Sequence, residues 1–353
     1  MDINYVASKF EINESIECYS PLGNGHINVT FLLTTVNHKK YVLQKINTVA
    51  FKNVDGLMDN MQKVTSFLMS RKEETIELIK TKEGRYFYQD ESGCYRIYIY
   101  IDNVICYEGV TNLEAVYNTA KAFGKLHKSL KEFPAETLCE VIPNFHNTKA
   151  RYDALLKSIE LDVAHRVAQV PNEIAEAKKH AELYSLLIDS INNGEIPLGV
   201  THNDPKINNI LFDEKTNNAR AIIDLDTIMP GSYLYDFGDA LRSLFTGQYE
   251  DTTDLTKIHV NYDVFEAYAR GYLSEMKGVL SKKEIELLPF SVFLLTAELV
   301  VRFLTDYLDG DVYFHTAYPE HNLVRTRTQI KLMNDIYDNL DKLQAIINKI
   351  VSE

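Results

Sequence analysis

Apolar and polar residues alternate with a period of two in the first hundred positions. From Leu113 onward the apolar positions recur every three or four residues. The first pattern predicts two hairpins. One joins strands over Val29–Val36 and Tyr41–Ile46 through Asn37-His38-Lys39-Lys40. The other joins Tyr86–Gln89 and Tyr95–Ile101 through Glu91-Ser92-Gly93. Between them Val54, Leu57, Met58, Met61, Val64, Thr65, Leu68 and Met69 fall at helical spacing. Asp102-Asn103-Val104 then interrupts the last strand, a plausible hinge. The second pattern predicts helices over Leu113–Leu130, Thr148–Leu161, Asn172–Asn193, Val260–Lys277, Lys282–Asp306 and Val324–Ile350. The chain therefore reads as α+β: a small antiparallel β-rich lobe over 1–104 and a larger, mainly helical lobe over 105–353.

One stretch interrupts the helical part. Val200-Thr201 leads into the polar loop His202-Asn203-Asp204-Pro205-Lys206-Ile207-Asn208-Asn209, and Ile210-Leu211-Phe212 leads out. Soon afterwards Ala221-Ile222-Ile223 ends in Asp224-Leu225-Asp226. Short apolar runs ending in carboxylates read as strands that deliver charge to the edge of a pocket. Asp and Asn are ordinary turn residues, but turns alone do not call for apolar strands on both sides and a second carboxylate at a strand end. Phosphoryl transfer needs such a set: positioning, metal ligands, a cation, and a carboxylate facing the acceptor hydroxyl. Asp204 suits the carboxylate and Lys206 the cation. Asn209 and Asp224 offer the hard oxygen ligands that Mg²⁺ prefers. His202 reads as a brace for the loop, and His127, alone on an apolar helix face, as a satisfied core histidine.

Composition narrows the partners. With 37 Lys and Arg against 50 Asp and Glu, the net charge is −13, which argues against nucleic-acid binding and against adsorption on anionic membranes. No apolar run reaches the roughly 18 residues of a membrane span; the longest, Phe290–Val301, contains Thr296 and Glu298. Cys18, Cys94, Cys106 and Cys139 are scattered, so a reduced, cytoplasmic setting is expected and a zinc or disulfide framework is not. A monomer or small homo-oligomer is expected.

The first hairpin is preceded by Gly23-Asn24-Gly25-His26-Ile27-Asn28, a G-x-G-x-x-N turn. Such a turn can bring backbone N–H groups to phosphates, and it also serves as a plain hairpin. The next strand offers Lys45 as a phosphate cation, although its neighbour Gln44 competes for the same face because adjacent strand residues point to opposite sides. No helix glutamate is present to pair with Lys45, and Asp59 is a shorter substitute.

His202-Asn203-Asp204-Pro205-Lys206-Ile207-Asn208-Asn209, followed by Ile223-Asp224, resembles the H-x-D-x-K-x-x-N loop and metal aspartate of the protein-kinase-like superfamily, in its aminoglycoside phosphotransferase and choline kinase branch. Asn203 stands where regulated protein kinases carry arginine, and no long activation segment follows. The literal Asp236-Phe237-Gly238 follows a Pro-Gly turn rather than a strand, and the resemblance gives Asp236 a bracing role. Gly25–Asn28, Ile142–His146, Ile223–Gly231 and Arg302–Asp311 further resemble the N-acetylhexosamine 1-kinases. The resemblance implies a two-lobed kinase-like fold and ATP and Mg²⁺ as cofactors. It implies phosphorylation of the anomeric hydroxyl of GlcNAc or GalNAc; an aminoglycoside, homoserine or other small hydroxyl compound is the alternative acceptor, and a non-catalytic nucleotide-binding scaffold the alternative role. Asp204 and Lys206 would be catalytic, Asn209 and Asp224 would hold metal, and Gly23, Gly25, His26, Asn28 and Lys45 would contact nucleotide. Arg302 and Tyr313 would sit by the sugar, with Asp306, Asp309, Asp311, His315 and Arg325 nearby in sequence.

Overall fold

The computed structural model describes residues 2–23, 27–109 and 112–353. By contacts the chain divides into two units, each assembled from separate stretches. The first holds Met1–Cys106, Glu132–Ile142 and Asn209–Pro230; the second holds Tyr107–Lys131, Pro143–Asn208 and Gly231–Glu353. After Cys106 the chain passes between the units four more times, and residues 209–230 belong to the first unit.

In the first unit a short helix α1 (Ile3–Ala7) precedes strands β1 (Ile16–Pro21), β2 (Val29–Thr35) and β3 (Lys40–Ile46). Helix α2 (Val54–Ser70) follows, then β4 (Leu78–Ile79), β5 (Tyr88–Asp90), β6 (Gly93–Ile99) and β7 (Val104–Ile105). The sheet runs β1-β2-β3-β6-β4, with β5 paired to β6, and every pairing is antiparallel. Both hairpins stand where the alternation put them. The alternation also sorts the faces: Leu33, Leu43, Tyr95 and Ile97 bury one face beneath Ile3, Val6 and Phe10 of the N-terminal segment. Nothing in the apolar pattern announced the short α1 or the strand β1, the latter mostly exposed.

The second unit is helical. It contains α3 (Leu113–Ser129), α4 (Thr148–Leu161), α5 (Pro171–Lys178), α6 (Leu186–Asn192) and the short strand β8 (Gly199–Thr201). Strands β9 (Ile210–Asp213) and β10 (Ala219–Ile222) form a hairpin of the first unit, with β7 on its edge. After β11 (Met229–Gly231) come α7 (Tyr233–Thr246), α8 (Tyr262–Met276), α9 (Lys282–Leu308), α10 (His321–Asp338) and α11 (Leu340–Ser352). The expected helix over 172–193 is split, because Tyr184 turns inward and donates its hydroxyl proton to the Ala177 carbonyl (2.9 Å). The expected helix over 324–350 is also two, broken at Asn339.

Helix α9 is the centre of this unit, packed by α4, α7, α10 and α11. Among the described residues it is the helix long and apolar enough to cross a membrane, and 83% of its most apolar window is buried inside the protein. Length and hydropathy alone pass it because a core helix is apolar all round. The close approach of α7 depends on Gly238: a Cβ there would lie 2.4 Å from the Ser291 carbonyl oxygen of α9. In Asp236-Phe237-Gly238 the glycine is therefore a packing contact, and Phe237 is fully buried in the same core.

Candidate functional site

In the second unit the buried strand β8 delivers the loop 202–208. Its backbone is pinned by Asp236 on α7. One Asp236 oxygen accepts from the His202 N–H (2.7 Å) and lies 2.8 Å from His127 Nε2; the other accepts from the Asn203 N–H (2.7 Å). His127 Nδ1 lies 2.8 Å from the Tyr272 hydroxyl, so this histidine is a satisfied core residue. Asn203 adopts φ 65°, a left-handed conformation that Asn tolerates better than most side chains. His202 Nδ1 accepts from the Asp204 N–H at 3.3 Å. The loop thus presents Asp204 on a rigid base, with Lys206 Nζ 2.7 Å from its carboxylate. Burial opposes the charge on Lys206, but Asp204 outweighs it and holds the ammonium above its ordinary pKa.

Burial also pushes the Asp236 and Asp239 carboxyls up. His127 at Asp236, and Arg242 with His146 and Lys206 at Asp239, more than reverse that, and both pKa values lie below the usual aspartate range. Groups depressed in the folded state contribute stability above the unfolded value of about 3.9, and lose it as pH falls through the lower folded values. These two carboxylates are accordingly expected to add a steep fall of the denaturation midpoint below about pH 4, beneath the shallower loss at about pH 6 from the buried His180 and His321, whose pKa values are lowered by burial. In Asp236→Asn the acid limb of a thermal-melt series should flatten; an unaltered acid limb would remove Asp236 from the account.

Also in the second unit, Glu298 and Arg302 lie one turn apart on α9. Glu298 is fully buried and faces His146 Nδ1 (3.0 Å) and the Thr148 hydroxyl (3.1 Å). Arg302 Nη1 stands 3.6 Å from Glu298 Oε1, too long for a hydrogen bond. Its guanidinium carbon lies 5.3 Å from the Phe145 ring centre, 5.8 Å from Tyr313 and 5.4 Å from Phe314. Arg151 shares this region, its pKa lowered by burial and by the charge of Arg302. Asp306 is not available to a ligand: it accepts from the N–H groups of Val312 (2.9 Å), Tyr313 (2.7 Å) and Phe314 (3.0 Å) and from Asn322 Nδ2 (2.7 Å). It holds the Tyr313 loop in place. Asp311 is taken by Arg166 (2.6 Å) and Asn322 (2.9 Å). Arg325 donates to the His315 carbonyl.

In the first unit Asn209 is buried, and its carbonyl accepts from the Ile223 N–H (2.9 Å) across the β9–β10 hairpin. That bond sets Asn209 beside the strand end carrying Asp224, which adopts φ 58°. An amide oxygen and a carboxylate suit Mg²⁺, which keeps water and phosphate oxygens as its remaining ligands. Among the described residues no cluster of three or more His, Cys, Asp or Glu offers an all-protein metal cage.

The cation that pairs with the turn after Asp224 is Arg96, not Lys45. Lys45 pairs in register with Tyr95 and shares the face that packs on α1; its Cε would lie 2.5 Å from a Cβ on Gly93. Gln44 occupies the opposite face, and its Oε1 accepts from Arg96 Nε (2.9 Å) and Nη2 (2.6 Å). Arg96 Nη1 is ion-paired with Asp226. Asn28 departs from its expected role as well. Its Nδ2 donates to Asp226 (2.6 Å) and its Oδ1 accepts from the Asn47 N–H (3.0 Å), so the side chain is a strut. Asp59 pairs with Lys63 at 2.7 Å rather than with Lys45. Among the polar residues that α2 turns inward is Asn60, which donates to the carbonyls of Cys139 (2.7 Å) and Ile228 (2.9 Å). Gly23 has φ 71°, as a turn glycine should; Gly25 and His26 lie outside the described residues. Arg96 had a sequence signal, a charge inside the apolar run Tyr95-Arg96-Ile97-Tyr98. So did Asn60, an amide amid the apolar positions of α2.

An antiparallel β unit, a helical unit and this Asp-x-Lys-x-x-Asn loop followed by a strand-end aspartate define a protein-kinase-like phosphotransferase. The chain belongs to the phosphotransferase enzyme family (APH), whose model matches residues 19–273. Among solved structures it is similar to an aminoglycoside phosphotransferase from Alicyclobacillus acidocaldarius, at 14% identity over 98% of this chain and 96% of that one, with a TM-score of 0.62. It is also similar to a microcompartment-associated aminopropanol kinase (14%, 97% of each chain, 0.58). A third match is an amicoumacin kinase in complex with AMP-PNP and Ca²⁺ (13%, 95% and 94%, 0.60). At these identities the likeness is one of fold.

Proposed function

We propose that this protein uses ATP and Mg²⁺ to phosphorylate the anomeric hydroxyl of an N-acetylhexosamine, GlcNAc or GalNAc. Family membership supports phosphoryl transfer to a small molecule, and the AMP-PNP complex of a structural neighbour supports a nucleotide donor. In this reading Asn209 and Asp224 hold the metal, which when bound neutralises charge developing on the phosphoryl oxygens. Asp204 accepts the proton of the attacking hydroxyl. An anomeric hydroxyl is more acidic than an ordinary alcohol, so a carboxylate base suffices. Lys206 orients Asp204 and offers positive charge to the transferring group.

One observation carries the choice of acceptor: two guanidiniums, Arg151 and Arg302, face a single carboxylate, Glu298, with Phe145, Tyr313 and Phe314 around Arg302. That excess of positive charge repels a polycationic aminoglycoside. Aromatic faces suit a sugar ring, and a guanidinium suits an amide carbonyl. Two buried nitrogens here, His146 Nε2 and Arg151 Nε, have no hydrogen-bond partner among the described residues, a cost that a polar ligand would relieve. The same charge also fits a carboxylate-bearing amino alcohol such as homoserine, which is the second reading.

Incubation with Mg-ATP and GlcNAc, GalNAc, an aminoglycoside or homoserine, followed by ³¹P NMR, should yield an anomeric phosphate from the hexosamines. Transfer to the aminoglycoside alone would sink the acceptor assignment. Arg302→Ala removes a charged hydrogen bond of about 1.5–3 kcal/mol, so the acceptor KM should rise roughly 10- to 100-fold while the ATP KM stays within about twofold. Equal rises in both would place Arg302 outside the acceptor site.

A further inference from the structure

Asp226 stands two residues beyond Asp224, and its carboxylate is fully committed. One oxygen pairs with Arg96 and the other accepts from Asn28 Nδ2 at 2.6 Å. Arg96 and Asp226 are 1% and 4% exposed, so neither reaches a ligand from solvent. Burial alone would weaken the guanidinium's charge, yet Asp226 keeps Arg96 firmly protonated. Arg96 is in turn clamped by both hydrogen bonds to Gln44, whose Nε2 donates to Thr30 Oγ1 (3.1 Å). The far end of the same turn is held by Asn60 of α2 through the Ile228 carbonyl.

We propose that Asp226 is a positioning residue. Through Arg96 and Asn28 it bolts the turn carrying Asp224 to the start of β2 and to the central strand β6, and so sets where the Asp224 carboxylate stands and where the strand after the glycine turn begins. The inference rests on the proposed role of Asp224 toward Mg-nucleotide. Kinases of this fold join their phosphate cation to a helix glutamate; here α2 presents Asn60, and the ion pair runs from β6 to the metal turn. A buried ion pair is weak evidence for stability, and its best-attested use is to fix one arrangement. In this turn the arrangement includes a left-handed Asp224, which surrounding contacts must enforce.

The test uses the full chain. Losing one partner strands a buried charge, so the informative variant is the neutral double change Arg96→Gln with Asp226→Asn. A second variant, Asn28→Ala, leaves the ion pair intact and keeps the test usable where the double change does not fold. Two readouts are taken: the Kd for AMP-PNP across a Mg²⁺ titration, and amide hydrogen exchange over residues 224–228. Expected for the double variant are a tenfold or greater loss of Mg-AMP-PNP affinity, a higher Mg²⁺ requirement and faster exchange at those amides. The acceptor KM should be unchanged. Asn28→Ala should lose affinity about threefold or more, in the same direction. Restoring the charged pair as Arg96→Lys with Asp226 intact should recover part of the affinity. Unchanged exchange together with an unchanged Mg²⁺ titration in a folded variant overturns the proposal. A wild-type protein that binds no Mg-AMP-PNP would overturn the functional reading instead, while faster exchange in the variant would still register the tether.

Discussion

Asp204→Asn is expected to retain the fold and bind Mg-ATP with unchanged affinity, yet turn over roughly 10³-fold more slowly, within the range for loss of a general base. The asparagine keeps the shape of the side chain and can still accept a hydrogen bond from Lys206, but it cannot take a proton. The loop beneath it is pinned through backbone N–H groups to Asp236, so the substitution has little structural leverage. Single-turnover kinetics with saturating acceptor separates the chemical step from binding. Turnover within tenfold of wild type would mean that the hydroxyl proton leaves by another route.

The second large effect is on stability. Asp236→Ala strands the buried His202 and Asn203 N–H groups and His127 Nε2 without their acceptor. Breaking a buried charge network of this kind costs about 3–5 kcal/mol. The denaturant midpoint of the second unit should fall accordingly, and exchange at the His202 and Asn203 amides should rise first. A loss under about 1 kcal/mol would show that the two amides find other acceptors. Activity should fall with it, since Asp204 stands on these amides.

The loop and its brace were legible because their chemistry is local in sequence. Asp204, Lys206 and Asn209 sit within one short turn between apolar strands, and Asp224 ends the next. The two hairpins followed from alternation, and α2, α3, α4 and α8 from helical spacing. Three things were hidden. Lys45 and Gln44 are neighbours in one strand, and only the pairing of Tyr95 with Lys45 and of Arg96 with Gln44 decides which shares a face with Arg96, the partner of Asp226. The commitments of Asn28, Asp306 and Asp311 join residues far apart in sequence: Asn28 reads as a flexible turn residue until Asp226 is seen beside it, and Asp306 reads as a sugar ligand until three backbone amides are found on it. The split helices were missed because the breaks at Tyr184 and Asn339 involve neither glycine nor proline.

Helix α9 bears on how the molecule is made as well as on what it does. It carries Glu298 and Arg302, and α10 and α11 cover part of its apolar surface. A nascent chain emerges from its N-terminal end, so α9 leaves the ribosome before either covering helix has been synthesised. For that interval a segment as greasy as a membrane anchor is exposed, and such surfaces attract chaperones or aggregate. A chain shortened before His321 would keep every residue from Asp204 to Arg302 but lose the cover over α9, together with Asn322, which holds Asp306 and Asp311, so its first failure would be one of solubility.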